Sequence, residues 1–413
     1  MEKVKFDKIG FNLHQDVCST NGLKIIVAPV FDAKEVHAGL YIDRGGLARD
    51  FFVGNTRIFP GTANLLVKSL FDKHPERCAP LFKEGVELKG YVEESFTTIS
   101  YRAKMEDAKE LLEPLLSIVD ELKITNDEVE HLKVSYRKEI LSTDAQPDNI
   151  IRKNLYVNSP MGKNPDGDLE TLKKVHFVAL KRYFESFYKV ENMTLIVTGN
   201  ISPDDVYEIA NAHRFKRTKN DREIRIQQYV EPEGALKSDL TYTAPKNTLI
   251  AGIKFPERKV LFNMFGDHLF SYYALLQPAL FSNLNSRTKE ILKDVVDIKK
   301  GGIKQGGEDA FLYQTFEVGD MSKGISQVKE LLSTSKPITR SDFKNLKKKY
   351  VTQQIQKYST DVSEYFNSLC EDYANRFASQ AITTAVSKMK YSKFVNFLDY
   401  LLKSPVSFAV EKD

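Results

Sequence analysis

The order of predicted elements repeats along the chain, and this repeat limits the possible folds more than any single motif does. In the first half, apolar patterning predicts strands at 22–30 and 37–46, a helix at 61–73 and a β-hairpin at 86–103. Several helices follow, and a buried strand and a last helix close this half. The helices are predicted at 75–85 (before the hairpin), 105–122, 125–144 and 202–213, and the buried strand at 192–200.

The second half follows the same plan. Its predicted strands are 237–243, 247–255, 296–300, 309–318 and 406–411, and its predicted helices are 266–282, 321–334, 339–357, 361–379 and 381–402. Because the elements repeat although the residues do not, the chain is predicted to form two similar domains. This order favours an α+β fold, in which each domain is an antiparallel-rich sheet with helices packed on one face.

A charged segment that is poor in large aliphatic residues, 214–234, separates the two halves. It is predicted to be a linker between an N-terminal domain, 1–213, and a C-terminal domain, 235–413. A chain of 413 residues is long enough to form two cores of ordinary size.

Composition argues against several classes of protein. The chain has 60 basic and 56 acidic residues, so its net charge of +4 gives no case for nucleic-acid binding, and the basic run at 344–350 is interpreted as a solvated helix face. No apolar run approaches the roughly 18 residues of a membrane span. Three separated cysteines without a CxxC pair indicate neither a disulfide framework nor a zinc knuckle. Because the first residues also lack the apolar core of a secretory signal, the cytoplasm is the simplest location.

Four segments resemble the M16 peptidases, the family of pitrilysin, insulysin and the mitochondrial processing peptidase. They are "NGLKIIVAPV", "GGLARDF" with "FPGTANLLVKSLF", "LYVNSPMGKNPDGDLETLKKV" and "NMTLIVTGNISPDDV". They occur in the order of the family and at about its spacing, and together they extend the resemblance over nearly the whole chain. The resemblance implies two M16-type domains that form half of a clamshell.

Active members of this family hold zinc on a His-x-x-Glu-His helix, with a further glutamate from a later helix. Here Gly61 to Ala63 match the residues before the motif, but the ligand positions differ. The resemblance places Asn64, Val67 and Lys68 at the first histidine, the catalytic glutamate and the second histidine, and Glu139 at the later glutamate. An amide is a poor zinc ligand, an alkyl group accepts no proton, and an ammonium group repels a dication. The resemblance therefore implies a chain without catalytic residues and without a metal of its own.

If the fold is that of the family, Lys68 and Glu139 face each other where zinc would join two helices. One hypothesis is that they form an ion pair in place of the metal. The alternative is that both are separate, partly exposed charges.

Active relatives bind the peptide as an added strand on the hairpin after the motif helix. Lys89 and Gly90 stand at the places of the family's Asn-Ala pair and are followed by Tyr91, although an ordinary hairpin is the alternative. In the second domain, Arg287 resembles the arginine that contacts the transition state, but Asp294 stands where the partner tyrosine is expected. If Arg287 instead matches the arginine of a Ser-Arg-Leu segment, neither functional residue is present.

These observations favour a non-catalytic subunit. The resemblance implies that such a chain pairs with an active M16 subunit that carries the zinc motif, and that it contributes substrate binding and closure of the chamber for a peptide or precursor peptide. Two alternatives stay open. The chain is an active zinc metalloendopeptidase with a non-standard site, or it is a structural scaffold subunit. No nucleic acid, membrane or cofactor of its own is expected.

Overall fold

The computed structural model describes residues 15–18, 21–47, 49–157, 159, 162–215, 224–225, 240–306, 309–375 and 379–411. The chain divides into two compact units, and each unit combines separate stretches of sequence. The first unit comprises Met1–Leu141, Pro165–Gln227 and Gln354–Ser379, and the second comprises Ser142–Asn164, Gln228–Gln353 and Gln380–Asp413.

The first unit contains a six-stranded sheet. Its strands are β1 (Gln15–Cys18), β2 (Lys24–Pro29), β3 (Glu35–Ile42), β6 (Glu87–Val92), β7 (Thr97–Lys104) and β8 (Met193–Gly199). Their spatial order is β1-β2-β8-β3-β7-β6, and only the pairing of β2 with β8 is parallel. Strand β6 therefore forms one edge of this sheet. A smaller sheet consists of β4 (Phe51–Val53), β5 (Thr56–Ile58) and β9 (Ile224–Arg225).

Side chains alternate between the two faces of the larger sheet, as the period of a β-strand requires. Ile25 and Val27 of β2 belong to the main core, whereas Ile26 between them belongs to a smaller cluster on the opposite face. The helices of the first unit are α1 (Thr62–Asp72), α2 (Ala108–Ser117), α3 (Asn126–Asp144), α5 (Leu169–Lys174), α6 (Phe177–Phe187), α7 (Pro203–Ala212) and α13 (Val362–Asn375). Most of their buried residues join the main core, and α13 covers the opposite face.

The second unit contains a five-stranded sheet. Its strands are β10 (Leu240–Tyr242), β11 (Thr248–Lys254), β12 (Val295–Gly306), β13 (Asp309–Val318) and β14 (Val406–Val410), in the spatial order β10-β14-β11-β13-β12. Its helices are α4 (Pro147–Leu155), α8 (Arg258–Phe265), α9 (Leu269–Phe281), α10 (Ser286–Ile291), α11 (Met321–Ser333), α12 (Arg340–Thr360, whose last residues belong to the first unit), α14 (Ser379–Lys388) and α15 (Tyr391–Leu401). The α+β fold class is confirmed in both units.

Two helices pack on the sheet formed mainly by the other half of the chain. Helix α13 covers the first sheet, and a Cβ atom on Gly39 in the centre of that sheet would lie 2.6 Å from the Phe366 ring. Helix α4 covers the second sheet, and a Cβ atom on Gly252 would lie 2.4 Å from Ile151 Cγ1. In each sheet a central glycine thus allows a helix to approach the backbone closely. The compact units consequently differ from the contiguous division at 213 and 235 by these two segments.

Several boundaries differ from the sequence predictions. The predicted helix 381–402 is interrupted after Lys388, where Lys390 adopts an extended backbone and begins a separate helix, α15. Helix α8 precedes the predicted helix 266–282, and the patterning did not identify α4, which has Pro147 at its first turn. Most of the predicted linker, 214–234, lies outside the described residues. Among the described helices, none has the length and apolar character needed to cross a membrane.

Candidate functional site

The first turn of α1 is fixed against the loop that precedes α5. Gly61 has a φ of 86°, and its N–H donates to the carbonyl oxygen of Pro165 at 3.1 Å. A Cβ atom on Gly61 would lie 2.7 Å from the Asp166 carbonyl oxygen, and one on Gly167 would lie 2.9 Å from that of Pro60. Both glycines are therefore required for close contact between two backbone segments as well as for a positive φ. This contact sets the position of the three α1 residues that face the candidate site.

Asn64 is oriented by a residue far away in the sequence. Its Nδ2 donates to Oδ1 of Asp166 at 3.0 Å, while its own Oδ1 is buried without a hydrogen-bond partner among the described residues. The Asp166 main chain is held in turn, because the Tyr136 hydroxyl donates to its carbonyl oxygen at 2.9 Å. The amide at position 64 thus acts as a donor to a carboxylate.

Val67 is closed off by strand β6. Its side chain is only 4% exposed, and a Cβ atom on Gly90 would lie 2.1 Å from Val67 Cγ1. The strand and the helix are therefore in direct apolar contact at this position. No group that can accept a proton from water is present there.

Lys68 and Glu139 form the ion pair that the sequence analysis considered. Lys68 Nζ lies 2.6 Å from Glu139 Oε1, and the two side chains are 32% and 54% exposed. Nζ also lies 5.5 Å from the centre of the Tyr136 ring, a geometry in which a cation is attracted to the ring face. The ammonium group joins α1 to α3 at the place where the resemblance puts the metal.

The residues at this position do not fit a zinc ion. A structural or catalytic zinc site needs at least three protein ligands that offer lone pairs, usually His, Cys, Asp or Glu. Here the nitrogen atoms of Asn64 and Lys68 are engaged as donors to the carboxylates of Asp166 and Glu139. Among the residues that the structure describes, no three His, Cys, Asp or Glu side chains gather closely enough to hold a metal ion.

The predicted peptide-binding residues lie on the edge strand β6, next to this site. Lys89 Nζ lies 2.5 Å from Glu87 Oε1, and this hydrogen bond lowers the pKa of Glu87. Tyr91 is 54% exposed, and its hydroxyl donates to Glu93. Lys89 is therefore paired within the strand, and Tyr91 is paired with the residue that follows the strand. Because β6 pairs only with β7 among the described strands, its outer backbone groups are available for a further strand.

Arg287 has a structural contact within the second unit. Its guanidinium donates to the carbonyl oxygen of Ser335 at 3.3 Å, and its backbone N–H donates to the side chain of Asn285 at the start of α10. Asp294, seven residues later, accepts a hydrogen bond from Gln327 at 2.7 Å. The described contacts thus engage both residues in holding α10 and its neighbours.

Sequence reasoning did not identify Asp166 and Tyr136 as parts of this site. Asp166 lies 102 residues after Asn64, and the only local signal is the turn sequence Pro-Asp-Gly. Tyr136 precedes Glu139 by three residues, so the helical period places both on one face of α3. This three-residue spacing would have allowed Tyr136 to be predicted as part of the site.

Comparisons with known proteins concern the family and the fold of this chain. The family description "Peptidase M16 inactive domain" matches residues 177–258. The uncharacterized zinc protease YmfH of Bacillus subtilis is 23% identical over 251 residues, which is 58% of this chain and 58% of YmfH. Residues 177–258 are thus similar to the M16 peptidase family. The M16 fold is seen along the whole chain, because an M16-like peptidase from Alicyclobacillus acidocaldarius superimposes with a TM-score of 0.82 at 16% identity and full coverage of both chains.

A second curated relative is not named as a peptidase. Subunit 1 of the rat mitochondrial cytochrome b-c1 complex is 21% identical over 133 residues, which is 31% of this chain and 28% of that subunit. The aligned regions therefore span less than two thirds of both curated relatives. Sequence similarity thus extends both to a protein named as a zinc protease and to a subunit of a respiratory complex.

Proposed function

We propose that this M16-like chain is a non-catalytic subunit that pairs with an active, zinc-bearing M16 subunit in a peptide-processing heterodimer. The observation that supports the proposal is the Lys68–Glu139 ion pair, which lies where the sequence resemblance puts the metal of active members. Zinc is then expected only in the partner. The chain itself supplies a surface for the peptide and helps to close the chamber.

Peptide binding is assigned to β6. An edge strand gives affinity through main-chain hydrogen bonds, which depend little on the side chains of the strand. The change from the family's Asn-Ala pair to Lys89 and Gly90 is compatible with such pairing. Gly90 moreover keeps the strand close to α1, where an active subunit would carry its catalytic residues.

Hydrolysis by this chain alone is not expected. Peptide cleavage by an M16 site needs a metal-bound water and a base that removes its proton. At the corresponding positions the chain offers the ammonium group of Lys68 and the alkyl side chain of Val67. A substrate held on β6 would therefore meet no activated water from this subunit.

The test begins with the purified chain alone. We expect less than about one tenth of an equivalent of zinc per chain in elemental analysis, because the donor set does not fit, and no cleavage of a peptide library. The chain is then mixed with an M16 protein that retains His-x-x-Glu-His, ideally one encoded by a neighbouring gene. Zinc-dependent cleavage by the mixture, above that of the partner alone, would support the proposal. Stoichiometric zinc together with cleavage by this chain alone would refute it.

A scaffold role is the second candidate, and the similarity to the cytochrome b-c1 subunit favours it specifically. A scaffold subunit would associate with its partner without changing peptide cleavage. Stable association that leaves the partner's kcat and KM unchanged would therefore select the scaffold over the processing subunit.

We also propose that the heterodimer works in the cytoplasm. Cys78 and Cys370 are both free and buried, as expected for thiols kept in a reducing compartment. Fractionation of cells that produce the tagged chain tests this location.

A further inference from the structure

One surface of the second unit concentrates positive charge. Arg340, Lys344, Lys347 and Lys348 lie within an arc of about 100° on α12, because successive helical residues are about 100° apart. Lys347 Nζ donates to the carbonyl oxygens of Ser387 and Met389, both at 2.9 Å, and so brings the end of α14 beside this arc. We call the resulting surface the cationic patch, and its members are Arg340, Lys344, Lys347, Lys348, Lys388 and Lys390.

The cationic patch lacks compensating carboxylates. Among the described residues, none of its six side chains forms an ion pair, whereas many other lysines of this protein do. Lys299, for example, lies 2.8 Å from carboxylate oxygens of both Asp297 and Glu317. Like charges spaced four residues apart on a helix repel each other. The patch is therefore a local excess of positive charge on a chain whose total charges nearly balance.

The side chains of the patch argue against a lipid layer and against stacked nucleic-acid bases as its partner. None of the exposed large apolar side chains among the described residues lies on α12, α14 or α15, so the surface has no group to insert into a lipid layer. The Tyr391 ring packs on Phe343 at 5.7 Å and lies 5.6 Å from the Arg340 guanidinium. Its aromatic rings are thus engaged and offer no free face for the stacking of bases.

The small size of the patch favours a short partner segment over a long polyanion. A long polyanion would extend beyond it onto the rest of the chain, where 56 acidic residues oppose the basic ones and leave little net attraction. A short acidic segment matches its charge without that repulsion. We propose that the cationic patch is a docking site for a short acidic segment of a partner protein. The proposal does not depend on the α1 site, and it holds whether or not the chain takes part in peptide processing.

The experiment measures binding of a fluorescein-labelled peptide of alternating Glu and Ser, about twelve residues long, which offers about one glutamate for each basic side chain of the patch. Fluorescence anisotropy is recorded with the full chain at low and at physiological salt. The test variant is Lys344→Glu, Lys348→Glu, Lys388→Glu. The matched control is Lys293→Glu, Lys300→Glu, Lys323→Glu, three exposed lysines of the same unit that lie outside the patch and give the same change of net charge.

We expect the wild-type chain to bind the peptide, with an affinity that falls as salt rises. The test variant should bind about tenfold more weakly and the control within about twofold. Circular dichroism checks folding, and a second variant with Gln at the three patch positions should show a smaller loss in the same direction. The proposal is overturned if wild type does not bind, if test and control variants lose equally, or if duplex DNA or phosphatidylserine vesicles bind the patch at least as tightly as the peptide.

Discussion

At the scale of single residues, Lys68 joins two helices through a charge pair and an aromatic contact. Both ends of the pair are partly exposed, so solvent screens much of the attraction, and the net contribution of such a pair is small. Removing one partner leaves a charge without its counterion, which costs more than removing both. The pair thus fixes the separation of α1 and α3 more than it adds to overall stability.

A double-mutant cycle measures this coupling. Lys68→Met and Glu139→Gln are expected to couple by about 0.2–1 kcal/mol in the free energy of unfolding, because the pair is close but partly exposed. Urea denaturation of the wild type, both single variants and the double variant gives the value. Additive effects of the two substitutions would show that the contact does not contribute to the free energy of unfolding.

His213 follows α7 and is held between two carboxylates. Nδ1 lies 2.9 Å from Glu113 and Nε2 lies 3.2 Å from Asp120, which also accepts from Arg77. Burial opposes the charged imidazolium, but the hydrogen bonds and charges of Asp120 and Glu113 outweigh it and raise the pKa of His213 above 6.5. The protonated ring therefore stabilises the folded chain.

This raised pKa predicts a pH dependence with a definite sign. The stabilisation is complete below the unfolded-state pKa and is lost as pH rises through the folded-state pKa. The free energy of unfolding should thus be lower at a pH above the raised pKa than at a pH below 6.5, and His213→Gln should reduce that fall. Urea denaturation at the two pH values measures the difference. The same fall in both proteins would assign the effect to other groups.

At the scale of elements, the contact between β6 and α1 depends on a glycine. Gly90→Ala places a Cβ atom against Val67 and is expected to cost about 1–3 kcal/mol of stability. Val67→Ala should relieve part of this cost, so the double variant should lose less than the sum of the single changes. Denaturant titration measures all three variants.

A second glycine provides the control. The nearest heavy atom to a Cβ on Gly302 of β12 would be 3.7 Å away, an ordinary contact distance. Gly302→Ala is therefore expected to stay within about 0.5 kcal/mol of wild type. A loss at Gly302 as large as that at Gly90 would mean that steric contact with Val67 is not the cause.

Element positions could largely be inferred from sequence where apolar spacing has a clear period. The short apolar runs of β2 and β3 and the helical spacing around Leu65 and Leu66 give the type of these elements. The resemblance to M16 peptidases also brought Lys68 and Glu139 together. The contact of Asn64 with Asp166 could not be inferred in this way, because the two residues are distant in sequence and nothing in their local pattern links them.

At the scale of the whole molecule, the sequence pattern also could not predict that α4 and α13 each pack on the sheet formed mainly by the other half of the chain. An apolar helix face predicts that the helix is buried, but it does not identify the sheet that buries it. Here the answer depends on Gly39 and Gly252, whose missing side chains make room for one helix on each sheet. Each half of the sequence consequently contributes one helix to the unit that the other half mainly forms.

Substitutions in these helices should affect one unit more than the other. Phe366→Ala removes a large side chain from the cluster on the first sheet and should cost about 3–5 kcal/mol, with increased amide exchange mainly in β3 and β8. Ile151→Ala is the matched change on the second sheet and should act mainly on β11 and β13. Hydrogen exchange followed by mass spectrometry distinguishes the two patterns. An identical pattern for both variants would contradict the division into units.

The position of α13 in the sequence also has a consequence for biosynthesis. The last strand of the first sheet ends at Gly199, whereas α13 begins at Val362, roughly 160 residues later. A ribosome that adds about 5–20 residues per second would leave one apolar face of that sheet without its cover for on the order of ten to thirty seconds. The nascent polypeptide is therefore a natural client for chaperones that shield such faces until α13 has been synthesised.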